Sequence, residues 1–251
     1  MIKTGLLSVT FRPLGVQEII SLVKKAGLDG IEWGGDVHVP HGNILTAERV
    51  RGMTQNAGLE IAAYGSYYCL GEKDSPNFSD VLASAVSLGA DKIRVWAGKK
   101  GSDTADIEYR ERIIKDAKRI VDKAAEKRIT IVCEWHCNTL TDALDSGKNF
   151  LQEVASDNFK TYWQPSVNRL TEICLKEIDG LMPYLAGMHV YAWDNGNRLP
   201  LSEHYDIWRQ YFIRAKSAGD CFALLEFVEN DSPESFLRDA AALKALQKET
   251  L

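Results

Sequence analysis

Three side chains able to ligate a metal ion or move a proton, Glu134, His189 and Glu226, each end an apolar run in this 251-residue chain. The runs are Ile129-Thr-Ile-Val-Cys-Glu134, Leu185-Ala-Gly-Met-His189 and Cys221-Phe-Ala-Leu-Leu-Glu226, and a fourth ends in Tyr162-Trp163-Gln164. In chain order the four polar ends are separated by 30, 25 and 37 residues, about one strand-loop-helix-loop unit each. Two carboxylates, an imidazole and an amide oxygen make a hard, mostly oxygen donor set. It suits one divalent ion, Mn²⁺ or Mg²⁺ first, with Co²⁺ or Zn²⁺ also accommodated. A cation among them would also let two carboxylates stay ionised at close quarters.

Such groups converge only if their strands are parallel and closed on one another. Short β-rich runs alternate with longer amphipathic ones along the chain. The expected strands are Thr4–Val9, Gly30–Trp33, Glu60–Tyr64, Lys92–Trp96, Thr130–Glu134, Thr161–Gln164, Gly187–Tyr191 and Phe222–Phe227. Helical patterns lie between them, among them Val16–Ala26, Phe78–Leu88, Tyr109–Glu126 and Ile207–Ser217, and Pro233–Leu246 follows the last strand. Period-two alternation puts Thr130, Val132, Glu134 and His136 on one face, with Cys133 and Trp135 on the other. The first strand is followed by Thr10-Phe-Arg-Pro-Leu14, not a Gly-rich phosphate loop. An open dinucleotide-binding sheet is therefore disfavoured. The fold class expected is α/β, a single (β/α)8 TIM barrel occupying residues 1–251 as one domain, because no linker or composition break divides the chain.

Composition narrows the function. A net charge of −5 without a long Lys/Arg stripe argues against nucleic acid as partner. Five cysteines, an odd number in no framework spacing, suggest free thiols in a reducing compartment. No apolar span of about 18 residues points to a membrane, so a cytoplasmic location is the expectation.

At these residues the chain resembles the xylose-isomerase-like TIM-barrel superfamily of sugar isomerases and epimerases. The likeness runs from Gly30-Ile-Glu-Trp33 through Arg94-Val-Trp-Ala-Gly98 and Glu134-Trp-His136 to His189 and Glu226. That superfamily includes ketose 3-epimerases, hydroxypyruvate isomerase, inosose dehydratase and endonuclease IV. In the epimerases the ligands are Glu, Asp, His and Glu from strands five to eight. Glu134, His189 and Glu226 match, whereas Gln164 stands where Asp is usual and Val167 where a His would follow. Gln keeps an oxygen ligand but removes a negative charge, which favours an anionic substrate or a changed reaction.

The resemblance implies a metal-dependent isomerase or epimerase of a small sugar or sugar derivative. Proton transfer would run through a metal-bound enediolate between Glu134 and Glu226, one glutamate abstracting the proton and the other returning it. The alternatives are a dehydratase of the inosose or keto-acid type, which would expel a β-hydroxyl, and a non-catalytic sugar-binding subunit. An endonuclease-type phosphodiesterase would need more ligands on the early strands and a basic groove.

Several residues are expected around the substrate. His136 shares the Glu134 face one step further out. His38 and His41 lie on a loop after the second strand, Arg198 follows the seventh, and Trp163 with Trp135 and Trp193 falls at or beyond strand ends. Against each stands an ordinary structural role: a surface histidine, a packed loop, a surface arginine, core aromatics. Glu32 and Arg94 read as an ion pair inside the barrel, not as catalytic groups. Cys133-x-x-x-Cys137 looks like a zinc cluster only superficially. The barrel loops would permit a homodimer.

Overall fold

The structure, a computed structural model, describes residues 1–166 and 169–250; Val167 lies outside the described residues. Eight parallel strands close into a barrel: β1 (Ile2–Leu7), β2 (Gly30–Gly34), β3 (Glu60–Cys69), β4 (Lys92–Trp96), β5 (Thr130–Glu134), β6 (Phe159–Trp163), β7 (Leu185–Val190) and β10 (Cys221–Leu225). The remaining two strands, β8 (Trp193–Asp194) and β9 (Asn197–Arg198), form a small antiparallel ribbon after β7. Closure is by β1, which pairs with β10 at Ile2↔Cys221 and with β2 at Gly5↔Gly30. The helices are α1 (Val16–Ala26), α2 (Ile44–Asn56), α3 (Phe78–Leu88), α4 (Ile107–Ala125), α5 (Leu144–Val154), α6 (Thr171–Leu181), α7 (Tyr205–Ala215) and α8 (Pro233–Glu249). Among the described residues, no helix is long and apolar enough to cross a membrane.

The expected strands are all present, shifted by one or two residues at several ends. β1 stops at Leu7 because Ser8–Phe11 coils into a 3₁₀ turn. β3 runs five residues past its expected end, with a register shift against β4 between Gly65 and Tyr68. Inside that bulge Tyr67 takes φ +53°, a left-handed conformation that costs a non-glycine residue energy and is held by its surroundings.

Helix ends carry local causes. The Glu18 carboxylate accepts from the Gly15 backbone N–H at 2.7 Å, and Gly27 ends α1 at φ +65°. Ser232 accepts from the Ser235 N–H at 3.1 Å, with Pro233 in the first position of α8.

Alternation divides the core in two. Ile31, Ile93, Ile131, Cys133, Trp163 and Met188 face the helices. Leu7, Val9, Ala62, Ala63, Val132, Tyr162, Phe222 and Leu224 fill the barrel interior. Its two largest members need room. A Cβ on Gly187 would lie 2.7 Å from the Tyr162 ring, and one on Gly30 would lie 3.0 Å from that of Phe222. Filled this way, the barrel is a solid platform whose polar groups collect at the C-terminal end of the strands.

Candidate metal centre and cavity

Above the Tyr162–Phe222 layer the inward positions turn polar. Glu134 ends β5, His189 sits in β7, Glu226 follows β10 directly and Gln164 follows β6 directly. His189 is fully buried, and Glu134, Gln164 and Glu226 are at most 8% exposed. His189 Nδ1 lies 3.5 Å from Glu134 Oε1 and 3.6 Å from Glu226 Oε2. One ligand atom from each of the three falls within 4.8 Å of the others. Donors about 2.1 Å from a shared ion sit roughly 3–4 Å apart, so the two spacings from His189 fit a divalent cation.

The hydrogen bonding agrees. Neither ring nitrogen of His189 has a hydrogen-bond partner among the described residues, and the same holds for Glu32 Oε2 and Gln164 Oε1. Buried polar atoms without partners are rare and call for an explanation, which an ion at Nδ1 provides. On the other side of the ring, Nε2 faces Glu32 Oε2 at 3.8 Å, beyond hydrogen-bond reach but close enough for opposite charges to attract. Burial alone would lower the pKa of His189, but Glu134, Glu226 and Glu32 together hold it well above the ordinary range.

Glu134 is held harder than the others. Arg94 and the Trp96 indole N–H both donate to its Oε2, while Gln164 Nε2 donates to Oε1 at 3.2 Å. Arg94 reaches back to Glu32 Oε1 at 2.6 Å. Burial opposes ionisation of Glu134; Arg94 and His189 outweigh it and hold the carboxyl well below its usual pKa. The result is a fixed carboxylate with little capacity to carry a proton. The Glu32–Arg94 pair expected inside the barrel is present, and it is continuous with the metal-ligand set, a connection the sequence reading missed. Its strand pattern placed both residues inward but could not show which charges meet across β2, β4 and β5.

Over this cluster opens a cavity of about 400 Å³, walled by Tyr67, Trp96, Tyr191, Trp193 and Phe227, with Arg12, Arg94, Glu134, His136, Gln164 and Glu226 among its polar lining. His136 is at the lip, its ring 5.1 Å from that of Trp96 and tilted by 30°. Its Nδ1 donates to the Cys137 carbonyl at 2.7 Å, which leaves Nε2 as an acceptor in the neutral ring.

Four other expected residues lie outside the cavity. His38 is buried beneath the β2 loop against Ser8 Oγ (3.1 Å) and the Leu14 carbonyl (3.2 Å), where it fastens the loop to the 3₁₀ turn. His41 Nδ1 meets the Tyr64 hydroxyl at 2.7 Å, and that hydroxyl donates to the Val39 carbonyl. Trp163 faces outward, packed on Tyr211 at 5.0 Å and donating to Glu177 at 3.1 Å. The rule that turns Gln164 inward compels this. Arg198 occupies an adjoining cleft, paired with Asp231 and stacked 4.6 Å over Phe227. Gln164, expected as an oxygen ligand, donates from its amide nitrogen to Glu134, and its Oε1 is buried without a hydrogen-bond partner among the described residues.

The sequence model of the family described as xylose isomerase-like TIM barrel matches residues 20–246. The chain belongs to that family. It is 28% identical over 167 residues to a 3-dehydroshikimate dehydratase of Bacillus anthracis, a match covering 63% of this chain and 60% of that relative. In three dimensions it is similar to the crystal structure of a probable 3-DHS dehydratase from the same organism. There the TM-score is 0.80 at 22% identity, over 97% of this chain and 99% of the other. It is also similar to a D-psicose 3-epimerase from Clostridium cellulolyticum H10, with TM-score 0.74, 14% identity and 99% of each chain covered. A third likeness is to a xylose isomerase-like TIM barrel protein from Mycobacterium smegmatis in complex with magnesium. Its TM-score is 0.76 at 16% identity, over 100% of this chain and 98% of the other. At such identities the structural likenesses establish the fold; the proteins it resembles include both a dehydratase and an epimerase.

Proposed function

We propose that this protein is a divalent-metal-dependent dehydratase acting on a small cyclic hydroxy-ketone that carries a carboxylate, of the 3-dehydroshikimate type. The observation that carries this reading is the immobilised Glu134. Both of its oxygens are engaged and its pKa is depressed, so a shuttle that needs Glu134 to exchange protons with Glu226 is disfavoured. Elimination needs no such shuttle. The aromatic walls suit a flat ring better than an open-chain polyol, which would require many polar partners.

Glu134, Glu226 and His189 would hold the ion, which when bound supplies positive charge beside the carbonyl oxygen as negative charge develops there. Glu32 places a negative charge behind the His189 ring, and Arg94 keeps Glu134 ionised and in place. His136, with Nε2 free as an acceptor, takes the proton from the carbon next to the carbonyl. The hydroxyl one carbon further leaves with a proton as water, completing a β-elimination. For a 3-dehydroshikimate ring, loss of one further ring C–H proton and protonation of the carbonyl oxygen gives a dihydroxybenzoate. One water is lost overall and no oxidant is required.

The test is incubation of metal-loaded protein with 3-dehydroshikimate and, separately, with ketohexoses in deuterated water. The expected product is aromatic and lighter by one water. His136→Asn should lower turnover by roughly 10²–10⁴-fold while leaving divalent binding intact. A product of unchanged mass with deuterium at one carbon would favour the isomerase or epimerase reading, whose support is that two carboxylates, Glu134 and Glu226, share His189. Saturable binding with no turnover of any substrate would leave a sugar-binding subunit.

A further inference from the structure

With a divalent ion held and His189 neutral as its ligand, the charges at the floor of the cavity would cancel. Glu32, Glu134 and Glu226 contribute three negatives, against one positive from Arg94 and two from a divalent ion. Gln164, neutral where a fourth carboxylate would tip the sum negative, keeps it so. A neutral floor does not repel an anion, and a substrate anion then needs one oriented cation nearby. Arg94 is spent on Glu32 and Glu134. Arg12 is the other guanidinium lining the cavity among the described residues.

Arg12 is built in. It leaves the 3₁₀ turn after β1, and its Nε donates to Asp36 Oδ2 at 2.6 Å while Nη2 reaches the Tyr67 hydroxyl at 3.3 Å. Two elements thus hold it, the loop after β2 and the bulge of β3. Tyr67 in turn lies between rim and floor, its ring 5.2 Å from the Arg94 guanidinium carbon and 5.8 Å from the Trp96 ring. The side chain of Arg12 is 44% exposed, and it borders both the main cavity and the cleft beside Phe227. A planar fork held at one edge is pre-organised to meet a planar carboxylate at the other.

We infer that Arg12 is the residue by which this site selects a carboxylate-bearing substrate: it anchors the substrate carboxylate at the rim while the reacting carbonyl lies over Glu134, His189 and Glu226. This rests on the dehydratase reading for the reaction, but its test does not. Binding of two probes that differ only at the charged group, 3,4-dihydroxybenzoate and 3,4-dihydroxybenzamide, is measured by calorimetry on Mg²⁺-loaded wild type, Arg12→Lys and Arg12→Met. A charge-assisted pair contributes about 1.5–3 kcal/mol, so wild type should prefer the carboxylate by roughly 10- to 100-fold. Arg12→Met should bind both probes about equally, with its affinity for the amide unchanged, and Arg12→Lys should keep part of the preference.

Equal binding of the two probes by wild type, a preference that persists in Arg12→Met, or no binding of either probe each overturns the assignment. Loss of preference in Arg12→Met together with failure to dehydrate 3-dehydroshikimate would leave the anchor standing and reject the reaction. Dehydration with an unchanged preference would do the reverse.

Discussion

Gln164 shows how much one side chain decides at this site. Its amide nitrogen donates to Glu134 Oε1 at 3.2 Å in a buried position. Gln164→Glu, of the same shape, replaces that donor with a second carboxylate. Without metal it should lose about 1–3 kcal/mol, the cost of a broken buried hydrogen bond to a charged group. With a divalent ion the added oxygen ligand should tighten binding, so the rise in melting temperature on adding Mn²⁺ or Mg²⁺ should exceed that of wild type. Equal rises in both proteins would show that position 164 does not face the ion. The inward placement of Glu134, His189 and Glu226 was legible from period-two alternation alone. The same rule, applied to Gln164, would have turned Trp163 outward. What alternation cannot reveal is which inward charges meet. That depends on the stagger between strands, which is why Arg94 and Glu32 read as a separate ion pair.

Among the elements, β3 does the most to position the site. Its bulge carries Tyr67 at φ +53° between Arg12 and Arg94. Nothing in the run Tyr64-Gly-Ser-Tyr-Tyr68 announces a bulge except the glycine, and the sequence reading ended the strand at Tyr64. Gly65 has a packing reason. A Cβ there would lie 2.7 Å from both Arg94 Nη2 and Glu32 Oε1. Gly65→Ala should therefore destabilise by about 1–3 kcal/mol, as overpacking does, and weaken divalent binding because Arg94, paired with Glu32, positions Glu134. Gly52→Ala, on α2 with open space at its Cβ, is the control and should be neutral or stabilising. Denaturation midpoints and metal titrations of the two variants decide this; matching losses would remove the argument. The loop after β2 takes the structural of the two roles open to it in sequence, for a similar reason. His38 and His41 look available in sequence, but Ser8 in the turn after β1 and Tyr64 in β3 reach them, contacts made only when neighbouring strands pair.

For the whole molecule, one buried charge outside the barrel sets a dependence on pH. Glu177, on α6, is almost fully buried and accepts from the Trp163 indole, while its Oε1 has no hydrogen-bond partner among the described residues. Burial raises its pKa above 4.5, against the opposing hydrogen bond from Trp163. The folded protein therefore keeps this proton to higher pH than the unfolded chain. Its penalty is absent below the unfolded carboxyl range, grows as pH rises towards the folded pKa, and is full above it. The difference in melting temperature, Glu177→Gln minus wild type, should become more positive between about pH 4 and about pH 8. A flat or falling difference would mean that the group titrates normally.

The contact between Trp96 and Glu134 has an optical consequence. The indole N–H donates to the carboxylate that would hold the ion, and the ring leans on His136 at the lip and on Tyr67 beside Arg12. Trp33, Trp163 and Trp208 are buried outside the cavity lining. Light emitted from Trp96 thus reports on both ends of the pocket at once. Ion uptake at the floor and ring stacking at the rim perturb the same chromophore, so filling of the site can be followed in real time without any label.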